Sequence, residues 1–335
     1  MAATPVSLAL GLLLLAIVVV DLLWTALWVE GGAGPLTSRL MAWMWRALRR
    51  VGRDDDRFLS LAGPLVLVTG LTVWLLLLWV GWTLVFATSD AVLVDTVDGG
   101  AISWTDRLYF TGYTMFTLGN GDLVPREGVW QLATVLVTAS GMLLVTLSVT
   151  YVLSVLDAVT QKRAFAGGVS GLGQRGDELV VTAWDGQTFQ GLDLQLSAYT
   201  TQLNTLTANH KAYPILHYFY SAQTEQAPVT SIAVLDDALT LLKYGVPEDD
   251  RPSDAIVENA WSSVEGYLET LHGAFIRPAN RLPPDPDIAS LRAAGVPTVP
   301  DREFEAALDE LDDRRRTVLG LVESDARRWP TRDTR

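Results

Sequence analysis

The sequence predicts an all-α membrane protein: three transmembrane helices, a re-entrant helix and loop between the second and the third, and a soluble helical domain behind them. Three observations predict it. The apolar runs Pro5 to Trp28, Leu61 to Ala87 and Val129 to Asp157 each exceed the ~20 residues that cross a bilayer. Between the last two lies Thr114-Met115-Phe116-Thr117-Leu118-Gly119-Asn120-Gly121-Asp122, whose glycines suit neither helix nor strand. Such irregular backbone at membrane depth is tolerated only where it is buried in protein or lines a water-filled path. After Asp157 the composition turns polar, with 26 acidic against 17 basic side chains.

A chain of 335 residues, 49% hydrophobic and with 12 tryptophans, has room for a membrane domain plus one further domain. A mean hydropathy of +0.25 argues against a soluble-only protein. The net charge of -13 makes nucleic acid a poor partner. With no cysteine, disulfides and thiolate metal sites are excluded.

Residues 1–30 form the first unit of the chain. The run from Pro5 to Trp28 carries one charge, lacks a basic leader and is longer than the apolar core of a signal peptide, so it is a span. Asp21 lies within it, where a carboxylate is costly in lipid and is expected to face other helices, protonate, or reach headgroup water or a polar neighbour. Gly31 to Gly34 and Pro35 break the helix, and residues 31–60 follow as a cytoplasmic linker. Within it, Ser38 to Arg53 places Arg39, Arg46, Arg50 and Arg53 on one side of a helix and Met41, Met44, Trp45 and Leu48 on the other. That pattern suits a helix lying along the inner leaflet, either as an anchor or with a part in gating.

Residues 61–157 form the next module. Arginines at 39, 46, 49, 50, 53 and 57 precede the second span, whereas Asp90, Asp95 and Asp98 follow it. The positive-inside rule puts the first loop in the cytoplasm and residues 88 to 128 outside, so the N-terminus is outside and the C-terminus cytoplasmic in a multi-pass plasma-membrane protein. Ser103, with Asp106 three positions on, opens a short helix as a variant capping box. Beyond it, Thr117 offers a hydroxyl and a carbonyl, and Leu118, Gly119, Asn120 and Gly121 offer carbonyls, the groups that replace the hydration shell of a cation. Asp122 and Glu127 are placed to concentrate cations at the mouth or to form an ordinary solvated acidic loop.

The run from Trp104 to Asp122, WTDRLYFTGYTMFTLGNGD, resembles the pore helix and selectivity filter of tetrameric potassium channels, which usually read T-T-V-G-Y-G-D where this chain has Phe116-Thr117-Leu118-Gly119-Asn120-Gly121-Asp122. The resemblance covers Leu61 to Asp157. It implies a homotetramer, a re-entrant pore helix and filter loop, and passive flow of K+ among membrane lipids. Phe116 stands for a usual threonine and Asn120 for the usual tyrosine, which packs behind the filter and hydrogen-bonds into the pore-helix cuff. A short polar residue at Asn120 is similar to the filter of weakly selective NaK-type channels, so conduction of Na+ as well as K+ is the alternative. A non-conducting membrane-anchored sensor or scaffold that keeps the pore fold is another.

The third span supplies the inner helix. Gly141 follows Gly119 by 22 residues, the register of the gating-hinge glycine in many potassium channels, although a mid-helix glycine equally permits close helix packing. Val145, Val149 and Leu153 follow at four-residue intervals and are expected to line and narrow the pore.

Residues 158–178 are expected to be a flexible, glycine-rich linker. Gly171 to Gly176 spells G-x-G-x-x-G, but the residues before it do not form the buried strand a dinucleotide site needs. Residues 179–335 read as a cytoplasmic helical domain, with helices around Phe189 to His210, Val229 to Tyr244, Ser253 to Phe275 and Glu303 to Asp325. His210, His217 and His272 lack ligand spacing. No nucleophile elbow, P-loop or phosphoryl-transfer signature occurs, so neither an enzyme nor a cofactor is expected, and the domain's regulator is not named by its residues.

Overall fold

The computed structural model describes residues 5–28, 32–51, 56–223, 226–272 and 276–331. Gly31, Arg53 and Phe275, which end expected segments, lie outside the described residues. The chain divides into two compact units, one of Met1–Arg50 and Gly63–Val155, the other of Val51–Ala62 and Leu156–Arg335.

The first unit holds α1 (Pro5–Leu27) and α2 (Pro35–Val51). The short α3 (Asp56–Ser60) belongs to the second unit, and α4 (Ala62–Phe86) returns to the first. The re-entrant α5 (Trp104–Met115) and α6 (Val129–Ser170) follow. Among the described residues three helices are long and apolar enough to cross a membrane: Pro5–Leu27, Phe58–Phe86 and Val129–Ser170. Leu15, Val18 and Leu22 of α1 pack with Trp74, Leu78, Trp82 and Phe86 of α4 in a core that also takes Phe110, Tyr113 and Met115 from α5. The α1 and α4 backbones approach closely because a Cβ on Gly11 would stand 2.8 Å from the Gly81 carbonyl oxygen.

Asp21 is fully buried and faces other helices rather than headgroup water. Its Oδ1 accepts the N–H groups of Leu36 at 2.8 Å and Thr37 at 3.2 Å, and its Oδ2 accepts the Thr37 hydroxyl at 2.5 Å and the Trp74 indole N–H at 2.9 Å. A carboxylate on α1 therefore caps the otherwise unpaired N–H groups at the start of α2, across sequence rather than within it. On α2, Thr37, Met41 and Trp45 are buried while Arg39, Arg46 and Arg50 are exposed, as the helical projection requires.

An all-α description needs one addition. A small antiparallel sheet pairs β1 (Leu93–Asp95) with β2 (Leu123–Pro125), in the register Leu93 to Pro125, Val94 to Val124 and Asp95 to Leu123.

The second unit corrects the expected linker. α6 does not stop at Asp157 but runs on to Ser170, because Ala158, Phe165, Ala166 and Val169 are buried at helical spacing in that unit. Packing overrides the poor helix propensity of Gly167 and Gly168. The G-x-G-x-x-G run follows this helix and ends at the start of α7 (Gly176–Ala183), where a side chain on Gly176 would collide with Asp237.

Then come α8 (Leu192–Ala212), a 3-10 turn (Pro214–Tyr218), α9 (Pro228–Thr240) continued by a π turn (Leu241–Gly245), and α10 (Asp254–Leu271). The short α11 (Ile288–Ala293) precedes two helices where the pattern suggested one, α12 (Asp301–Glu310) and α13 (Asp312–Ser324), broken at Leu311. Their core is built from Leu196, Leu203, Ile232, Leu239, Val264 and Leu319 among others.

Candidate ion-conducting pore

The pore helix α5 is fixed at both ends. At its start Ser103 and Asp106 form a reciprocal capping box, the Asp106 N–H donating to the Ser103 hydroxyl at 3.2 Å and the Ser103 N–H to the Asp106 carboxylate at 2.8 Å. Arg107, buried, donates to Asp90 at 2.6 Å and to the Ile102 carbonyl at 3.0 Å. Along its length the Trp79 indole donates to the Leu108 carbonyl at 2.9 Å, and the Thr83 and Thr111 hydroxyls meet at 2.8 Å. At its end the Thr138 hydroxyl of α6 donates to the Thr114 carbonyl at 3.2 Å.

The loop after α5 has an alternating backbone. Thr117, Gly119 and Gly121 take φ of 61°, 60° and 81°, whereas Leu118 and Asn120 keep ordinary negative values. Alternating the hand of successive residues turns successive carbonyls to one side of the chain, the arrangement that lines an ion path. Glycine takes these angles freely. The β-branched Thr117 does so at a cost of about 1–2 kcal/mol, and strain of this kind persists only where the surroundings over-determine it. The surroundings here are the Thr117 N–H donating to the Thr114 carbonyl at 3.1 Å and the Leu118 N–H to the Tyr113 carbonyl at 2.8 Å.

Asn120 is supported by a residue that sequence reasoning missed. Its side-chain amide donates to the Tyr109 hydroxyl on α5 at 2.5 Å. Tyr109 stacks edge-on against Tyr113, which packs on Phe110, and the Tyr113 hydroxyl donates to the Leu123 carbonyl at 2.5 Å. The aromatic bulk behind the filter therefore comes from the pore helix, and Asn120 supplies only the tie. Tyr109 and Tyr113 lie four apart and face the loop from one side of α5, which was the available signal.

Gly121, at the end of the loop, is tied to the residue after β1. Its carbonyl accepts the Thr96 hydroxyl at 3.0 Å, and the Asp122 carbonyl accepts the Thr96 N–H and hydroxyl, each at 2.9 Å. At the mouth, the Asp122 carboxylate accepts the Leu123 N–H at 3.0 Å, and Glu127 is exposed. Asp95, accepting the Asp98 and Val97 N–H groups, is held below the usual carboxylate range by those bonds.

Gly141 sits against the end of the pore helix, where an added Cβ would collide with the Met115 carbonyl and side chain. Close packing explains this glycine by itself, and α6 passes through it without a break. Val145, Val149 and Leu153 are 49%, 55% and 63% exposed, so among the described residues none covers their face of α6. The loop residues from Phe116 to Gly121 are exposed as well.

A span, a capped re-entrant helix, a loop of alternating hand and a second span make up the half-enclosed wall of an ion-channel pore. Residues 70–158, which run from within α4 through α5 into α6, match the family described as Ion channel (Ion_trans_2). Over 323 residues the chain is 46% identical to the "Uncharacterized membrane protein YdjJ" of Bacillus subtilis (strain 168), spanning 96% of this chain and 95% of that protein. The chain belongs to the family of that membrane protein, and its residues 70–158 are similar to the ion-channel family. No solved structure matches it.

Proposed function

We propose that four copies of this chain form a passive potassium channel, with the filter loops facing a common axis. The observation that carries the reading is the alternation of hand at Thr117, Gly119 and Gly121 in a loop that one chain leaves exposed. One loop supplies only part of a coordination shell, and rings of carbonyls from several copies complete it. Thr117, Leu118, Gly119 and Asn120 are the coordinating residues, and the negative end of the α5 dipole favours the cation behind them. The exposed face at Val145, Val149 and Leu153 supports a pore lining or a subunit contact on α6.

The arginines of α2 and the acids beyond α4 support a plasma-membrane orientation with N-terminus outside and C-terminus in the cytoplasm. Because α6 is one helix from Val129 to Ser170, a regulatory input to the second unit has a covalent route to the inner helix.

Asn120 favours a second reading, a non-selective monovalent cation channel, while its bond to Tyr109 supports retained selectivity. Purified protein reconstituted in planar bilayers with K+ on one side and Na+ on the other separates the two. Selective conduction gives a reversal potential displaced toward the K+ equilibrium value, and a potential near zero removes selectivity. Gly119→Ala is expected to abolish the current; bilayers in which the wild type passes none leave the non-conducting scaffold as the surviving reading.

A further inference from the structure

The strand pairing that accompanies the filter has no counterpart in the function argued so far. β1 belongs to the loop after α4, about 25 residues ahead of the filter exit, yet it runs alongside the residues that leave the filter. Its position is fixed from several directions. Val92 and Leu93 are buried in the core of the first unit. The Val92 carbonyl accepts the Arg126 N–H at 2.9 Å, closing the far end of the pairing. The Asp95 carboxylate accepts Val97 and Asp98 N–H groups at 2.8 and 3.1 Å, which turns the chain sharply just past Thr96.

Thr96 is the next residue after the last strand pair, and its backbone N–H extends the ladder to the Asp122 carbonyl. Any residue except proline could make that bond. The hydroxyl does something a backbone cannot, reaching the Gly121 carbonyl at 3.0 Å as well as that of Asp122 at 2.9 Å. Gly121 is the last of the alternating residues, with φ of 81°, and an added Cβ there would meet nothing within 4 Å, so packing does not hold it. The hydroxyl of a turret strand is what holds its carbonyl.

Resting on the channel reading, we infer that Thr96 is a positioning residue for the filter: it draws the Gly121 carbonyl toward the turret and ends the ion-coordinating stack at Asn120. Thr96 thereby sets how many carbonyl rings a cation meets, and the number and field strength of such rings govern discrimination between K+ and Na+. The hydroxyl hydrogen serves one acceptor at a time, so the Gly121 carbonyl at 3.0 Å shares it with the Asp122 carbonyl at 2.9 Å, which also accepts the Thr96 N–H.

The test is Thr96→Val, nearly isosteric and lacking the donor, against Thr96→Ser, which keeps it, in bi-ionic recordings on the reconstituted full-length protein. Thr96→Val is expected to change the K+ to Na+ permeability ratio by roughly twofold to tenfold, the span that one lost hydrogen bond supplies. Thr96→Ser stays close to wild type. If Thr96→Val does not assemble, Thr96→Ala removes the same donor with less bulk and carries the comparison. A conducting wild type whose ratio is unmoved by valine or alanine overturns the inference while leaving the channel intact. Serine behaving like valine overturns it too, since keeping the hydroxyl donor would then not preserve the ratio. A silent wild type overturns the channel reading itself and the inference with it.

Discussion

The pore unit and the second unit bury different kinds of polar group and expose different kinds of surface. In the pore unit the buried polar side chains are mostly hydroxyls, Thr25, Thr37, Thr83, Thr111 and Thr114, while Leu12, Leu13, Val68, Leu132, Val135 and Met142 stand outward. In the second unit Asp177, Asp236, Arg315 and Asp325 are buried, and among the described residues after 170 the one large hydrophobic left exposed is Leu194. Lipid or a neighbouring copy takes the outward apolar surface of the first, and water surrounds the second. Where the helices of the first unit meet, hydroxyls share the work with the buried Asp21 carboxylate and the Arg107 to Asp90 pair, and the second unit buries more charged groups still. Ion pairs hold the solvated unit, where each charge removed from water must find a partner.

The largest expected effect is on those ion pairs. Arg314 donates to Asp236 at 2.9 Å through Nε and lies over the Trp261 ring with its guanidinium carbon 3.7 Å from the centroid. Asp236 is fully buried, and burial pushes its carboxyl above the usual range although Arg314 opposes the shift. Asp236→Ala leaves the guanidinium without its partner and should cost about 3–5 kcal/mol in denaturant unfolding of the full-length protein. Replacing both residues with apolar ones of similar volume should recover much of it. If Asp236→Ala costs as little as a pore-unit hydroxyl, the contrast between the units fails.

A smaller effect concerns His210. Burial, reinforced by Lys162, pushes this imidazole down to about 3, so it is neutral in the folded protein and charged below about 6.5 when unfolded. Between those values the unfolded state binds the extra proton, and stability falls as the solution is acidified through that window. From pH 7 to pH 5 the loss from this one group is about 2 kcal/mol. Melts of wild type and His210→Phe across that range check it, the variant showing the shallower slope.

The smallest effect belongs to the pore. Tyr109→Phe removes the acceptor of the Asn120 amide and nothing else, a neutral and partly exposed bond worth about 1 kcal/mol or less. Thermal unfolding of the detergent-solubilised protein should move little, while the reversal potential in K+ and Na+ reports whether the filter has loosened. A large loss of stability would mean that the pore unit depends on single polar contacts after all.

Much of this architecture was legible in the residues. Span lengths, the Ser103 and Asp106 cap and the odd-numbered run of Thr117, Gly119 and Gly121 all depend on near neighbours, and local chemistry decides them. The pairing of β1 with β2 was not legible: three residues a side carry no alternation long enough to read, and the partners are joined only by the folded pore helix. The continuation of α6 past Asp157 was missed because glycines argue against helix locally, whereas Phe165 and Val169 gain burial only once the second unit exists. Gly141 was legible as a position that matters, but its contact with Met115 was not, because spacing along one helix says nothing about which residue of another packs on it.

Asp21 also bears on the order in which the protein is made. When α1 leaves the ribosome its carboxylate has none of the donors that later surround it: Leu36 and Thr37 follow 15 and 16 residues on, and the Trp74 indole 53 residues on. A carboxylate within an isolated membrane helix is costly on insertion scales. The donors that satisfy Asp21 come from α2 and α4, so the packing of α1 is completed only by residues translated after it.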